Sequence, residues 1–132
     1  MFRLVYALLF GISAATPSLA QEIKVTQLFA VGDQEILLRR GISIDRDCVP
    51  HKSTKIAIIR KPQHGTIKEY TQAVYPNFNK DNARSACNDR RVDALAAYYQ
   101  AKPGFKGKDS FEFAIVYFDG TATRAKIEMT VW

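Results

Sequence analysis

The sequence predicts an all-β domain, an immunoglobulin-like antiparallel β-sandwich of about seven strands. Three observations carry that prediction. The C-terminal third alternates with period two: Phe111, Phe113, Ile115 and Tyr117 alternate with Ser110, Glu112, Ala114 and Val116, and Ala125, Ile127, Met129 and Val131 alternate with Arg124, Lys126, Glu128 and Thr130. Turn-forming Gly, Pro, Asn and Asp punctuate short β-type runs along the chain, and no run keeps a helical period. The outward positions of the closing run, Arg124, Lys126, Glu128 and Thr130, are polar, so helices do not cover that face.

The elements follow in order. Ile23 and Val25 alternate with Glu22, Lys24 and Thr26, which predicts a first strand. Gly32-Asp33 is a turn. Ile36 to Arg39 and Ile42 to Asp45 read as strand, interrupted at Gly41. Lys55 to Arg60 places Ile56 and Ile58 on one face. Pro62 to Gly65 reverses the chain, because Pro fixes φ and Gly tolerates positive φ. Thr66 to Tyr70 begins the returning strand. A polar insert at 76–94, rich in Asn, Asp and Arg, is long for a small domain, and such inserts are often functional. A short helix is expected inside it at about Lys80 to Ala86. Leu95, Ala97 and Tyr99 then alternate with Ala96, Tyr98 and Gln100. Pro103-Gly104 has type II turn residues, and Asp119-Gly120 is a hairpin signal.

The first 20 residues read as a secretory signal peptide. Arg3 precedes an apolar run from Leu4 to Ala15, and Ser18-Leu19-Ala20 is a small-x-small cleavage site. The run is shorter than the roughly 20 apolar residues of a membrane span, so no span is expected after cleavage. The mature domain is expected at residues 21–132, periplasmic or secreted. The 132-residue chain carries a formal net charge of +6, which favours acidic partners. Its basic residues are scattered, with no run that marks a nucleic-acid arm, so nucleic acid is not an expected partner.

Cys48 and Cys87 are the two cysteines, and in an exported chain they read first as one disulfide. Closing a loop of about 40 residues stabilises a fold by about 4 kcal/mol in the chain-entropy model. A second reading adds the two histidines, making a two-Cys, two-His metal set from Cys48, His51, His64 and Cys87. The disulfide is the expected state.

The segments Lys61-Pro62-Gln63-His64-Gly65-Thr66-Ile67 and Tyr99 to Phe111, followed by the Asp-Gly hairpin, resemble bacterial cadherin-like, immunoglobulin-like repeats. The pattern is P-x-H-G-T-[VI], then Y-x-P-x-x-G-F-x-G-x-D-S-F; here Ala101 stands where Pro is commonest, and Pro is at 103. The match covers roughly residues 56–131. The chain is also similar to small exported proteins of rhizobial-type bacteria that share the cysteine pair and the Asn-rich insert. The resemblance implies packing and an adhesion-type setting, and it implies no chemistry. In physical terms Gly104 and Gly107 permit a tight loop, Asp109 accepts backbone N–H groups that close it, and Phe111 plugs the core.

The sequence has no nucleophile elbow, His-Glu-x-x-His or phosphate loop, so no catalytic residue and no cofactor are expected, and the chain reads as non-enzymatic. Asp45, Asp47, Asp81 and Asn82 lack the ligand spacing of a calcium loop. The candidate binding surface is Tyr75, Phe78, Arg84, Arg90 and Arg91, where rings could stack on sugars beside cations. Of the aromatics nearby, Tyr70 and Tyr99 are expected to be core or strand-pair residues. The expected function is a binding or adhesion-type module of the envelope, with a polysaccharide or an envelope protein as partner. A structural or stress-protective role is the alternative, followed by a secreted hydrolase inhibitor, whose basic charge would slow encounter with basic targets.

Overall fold

The computed structural model describes residues 23–132. The segment read as a signal peptide lies outside them. Among the described residues there are seven strands: β1 Val25–Ala30, β2 Ile36–Gly41, β3 Lys55–Arg60, β4 Gly65–Val74, β5 Val92–Ala101, β6 Gly107–Val116 and β7 Ala122–Val131. They form two sheets, one in the order β1-β7-β6-β3 and one in the order β2-β5-β4, packed as an immunoglobulin-like sandwich. Among the same residues no helix is long and apolar enough to cross a membrane.

The period-two pattern of β6 and β7 fills the interior. Phe111, Phe113 and Ile115 are buried against Ala125, Ile127, Met129 and Val131 of β7 and against Ala97, Tyr99 and Ala101 of β5. The Tyr99 and Phe111 rings stack at 5.1 Å. Each large apolar side chain buried in this way contributes about 1.5–3 kcal/mol. β6 and β7 are joined by the expected Asp119-Gly120 turn, where the Gly120 amide donates to the Tyr117 carbonyl at 3.0 Å.

Several elements differ from the pattern read in the sequence. The first sheet is mixed, because β1 pairs parallel with β7. A short hairpin forces antiparallel pairing, but these two strands lie at opposite ends of the chain and no hairpin joins them. That register sets Leu28 and Ala30 beside Met129 and Val131, so they point inward, while Val25 is exposed. Both parities of β1 carry apolar residues, and the partner strand decides between them. On β5, Ala96 is as fully buried as Ala97 although it faces outward. Its cross-strand neighbours Arg40 and Tyr70 roof it, held by a chain in which Arg40 donates to Gln72 and Gln72 donates to Tyr98.

The polar insert is shorter than expected. β4 runs to Val74 and β5 starts at Val92, so Asp93 and Ala94 belong to the sheet. The expected helix at 80–86 is a pair of turns followed by a 3-10 turn over Ser85–Asp89. Asn side chains divert the backbone from a helix. Asn82 Oδ1 accepts from the Arg84 amide, and Asn88 bonds both the N–H and the carbonyl of Phe78. Past Gly41 the chain also leaves the sheet, and the expected strand over Ile42 to Asp45 is reduced to one bridge between Ile44 and Pro50.

Gly104 lies at φ +78° and Gly107 at φ +127°, as the tight loop requires. Asp109 does more than close that loop. It is 5% exposed and accepts from the amides of Ser110, Gln63 and His64 and from the Tyr99 hydroxyl. One carboxylate therefore ties the two recognised segments together.

Candidate functional site

Cys48 and Cys87 form the disulfide. Cys87 is fully buried in a small satellite core with Ile44 and Val92, against which Phe78 and Cys48 pack. Both sulfurs are thus bonded to each other and are not thiolate ligands. The two-Cys, two-His set is not assembled: His51 stacks on Phe118 at 3.8 Å, and His64 stacks on Phe105 at 4.2 Å. Asp45 Oδ1 accepts from the Asp47 and Val49 amides, as a turn carboxylate does.

The five residues of the candidate surface divide by environment. Arg84 is half-buried and donates from Nε to the Ile44 carbonyl at 2.6 Å, which fastens the insert to the loop carrying Cys48. Its charge also helps to hold the Asp119 carboxyl below its ordinary pKa, after the larger effect of hydrogen bonds from Thr121. Phe78 is half-buried against the disulfide. Arg91 is exposed but donates to the Ala73 carbonyl at 2.8 Å, closing the base of the insert. Tyr75, 63% exposed, and Arg90, loosely paired with Asp89 at 3.8 Å, remain free to meet a partner. Three of the five, Phe78, Arg84 and Arg91, thus brace the insert.

A different surface carries more binding chemistry. A groove of about 560 Å³ crosses the outer face of the four-stranded sheet. The registers place Phe29, Thr130 and Lys108 side by side across β1, β7 and β6, with Gln27, Glu128 and Ser110 in the next row. Arg60 reaches in from β3 and donates to Ser110 Oγ at 2.9 Å. Gln63 and His64 close one end, held by Asp109. Phe29 is 60% exposed, and neither Arg60 nor Lys108 joins an ion pair among the described residues. An accessible ring beside two cations outside any ion pair and amide side chains can hold a sugar by its C–H face while binding its carboxylate or hydroxyls. The alternation of β6 and β7 already marks Lys108, Ser110, Glu128 and Thr130 as outward. Phe29 was missed because the parity of β1 was not legible without its partner.

The chain matches no family model, no curated protein and no solved structure. The fold and these surfaces define its class as a disulfide-stapled immunoglobulin-like sandwich.

Proposed function

We propose that this chain is an exported, non-enzymatic binding module of the bacterial envelope, and that it takes an acidic polysaccharide in the groove across β1, β7, β6 and β3. The single observation behind this reading is the exposed Phe29 beside Lys108 and Arg60 in one groove. The excess of Lys and Arg over Asp and Glu draws an acidic polymer toward the domain. The apolar N-terminal run with its small-x-small site, the disulfide and the likeness to cadherin-like repeats support an adhesion-type role outside the cytosol.

The test is binding of a soluble uronic-acid polymer, with neutral dextran as the control. Phe29→Ala and Lys108→Glu are each expected to weaken binding by about tenfold, the equivalent of about 1.4 kcal/mol. Arg90→Glu and Arg91→Glu, in the insert, are expected to have less effect. The reverse ranking moves the contact surface to Tyr75 and the insert. A wild-type domain that binds neither polymer removes the polysaccharide reading and leaves the structural role.

A further inference from the structure

The inward face of the three-stranded sheet changes character part-way along. Ala97 and Tyr99 of β5 lie in the core. Farther toward the end that carries the disulfide, the same face presents Glu69 and Thr71 of β4 and Asp93 of β5, as their pairing with Ala97, Leu95 and Ala73 shows. Carboxylates on the inside face of a sandwich strand run against the pattern that builds the rest of the core. Here they meet a cleft of about 450 Å³, roofed by the loop between β2 and β3.

The roof is a fixed piece of structure. The Ile44–Pro50 bridge, the His51 amide donating to the Ser43 carbonyl at 2.8 Å, the hydrogen bonds on Asp45 and the Cys48–Cys87 disulfide all hold it. The cleft is therefore preformed and within the size range of small-molecule sites. Ser43 stands in its wall, 8% exposed, and its buried hydroxyl has no hydrogen-bond partner. A buried unpartnered hydroxyl is costly, so its retention points to a use. Glu69 and Asp93 are exposed and take part in no ion pair among the described residues.

We infer that this cleft binds a linear compound with an ammonium group at each end, a ligand of the polyamine class, one end on Glu69 and the other on Asp93. The registers separate the two carboxylates by four rungs, about 13 Å along the strands, and both side chains can lean inward from that span. An extended triamine bridges such a distance and a short monoamine does not. Ser43, Thr54 and Thr71 supply hydroxyls for the inner nitrogen. Lys52, on the loop side of the cleft, is the cation that opposes the ligand. The positive charge of the whole chain repels polyamines elsewhere, so saturable binding reports on this cleft.

The experiment is calorimetric titration of the oxidised protein at low ionic strength with spermidine, and with butylamine for comparison. Spermidine is expected to bind saturably and more tightly than butylamine. Glu69→Gln combined with Asp93→Asn should weaken it by about tenfold or more, and Lys52→Ala should tighten it by about threefold. Ser43→Ala should weaken binding without lowering the melting temperature, because it removes an unpaired hydroxyl from the wall. Both carboxylates are exposed, so the double variant is expected to fold. If it does not, the Lys52→Ala titration carries the test. No saturable binding by wild type, equal affinity for the two amines, unchanged affinity in the double variant, or no tightening in Lys52→Ala would each overturn the inference.

Discussion

At the scale of single residues, Asp109 and Tyr99 show how a buried charge is made tolerable. A carboxylate that is 5% exposed would be costly alone, but Asp109 takes three amides and one phenol and leaves little acceptor capacity unused. The phenol of Tyr99 is fully buried and donates to Asp109 Oδ2 at 3.0 Å. Burial first, then the hydrogen bond and the negative charge of Asp109, push its pKa well above the ordinary tyrosine value. A raised folded pKa means that the folded state holds this proton more tightly than the unfolded chain. Below pH about 10 both states are protonated and the full contribution is present; above it the unfolded chain releases the proton first and stability falls. Tyr99→Phe is therefore expected to cost about 1.5–3 kcal/mol at neutral pH, the range for a hydrogen bond to a charged group. Its denaturation midpoint should approach that of wild type as pH rises above 10. Urea melts from pH 7 to 11 measure this, and a gap that widens with pH would contradict the assignment.

At the scale of elements, legibility followed how far pattern alone constrains a strand. β6 and β7 each carry their largest apolar side chains on one parity, and Phe113 and Ile127 are buried as read. β1 carries apolar side chains on both parities, so the parallel register with β7 had to choose. The 80–86 segment has helix-compatible residues, but Asn82 and Asn88 commit their side chains to the backbone and fold it into turns. The Pro62–Gly65 reversal was legible, but the reason read for its glycine was not the right one: Gly65 does not adopt a positive φ. At Gly65 an added Cβ would meet the Tyr99 ring at 2.5 Å and the Gln100 carbonyl oxygen at 2.6 Å. The glycine is there because β4 starts hard against β5 and leaves no room for a Cβ. Gly65→Ala is thus expected to destabilise by about 1–3 kcal/mol through overpacking. Gly104→Ala meets nothing within 4 Å and should cost only its positive-φ strain, at φ +78°. Thermal melts of the two variants compare crowding with backbone strain directly, and a smaller loss at Gly65 than at Gly104 would show that the Tyr99 ring yields.

At the scale of the whole molecule, the disulfide holds one end of the sandwich together. The two sheets share one core, but the Cys48 loop and the insert sit beyond it, around Ile44, Cys87 and Val92. The cysteine pair was legible because two cysteines in a chain read as exported are expected to pair. The surfaces were not, because a groove or cleft needs side chains from four strands or from a loop and two strands. Phe29 and Arg60, or Ser43 and Asp93, are far apart in sequence and meet only through the register. The satellite core is small, so its share of hydrophobic stabilisation is modest, and the bridge between cysteines 39 positions apart stabilises this end of the molecule more. Chain entropy gives the bridge a contribution of about 4 kcal/mol, against about 5–15 kcal/mol for a domain of this size. Replacing both cysteines by alanine should therefore lower the melting temperature by roughly 15 °C or more. The loss should be uneven. Amides of the Ile44–Pro50 loop and the insert should exchange with solvent much faster, while those of β6 and β7 keep most of their protection. Hydrogen exchange on the oxidised and Cys-free forms measures both effects, and the same loop roofs the Ser43 cleft, so its loosening should weaken binding there before the groove on the opposite sheet is touched. Equal acceleration in every strand would mean that the satellite core and the main core unfold as one unit.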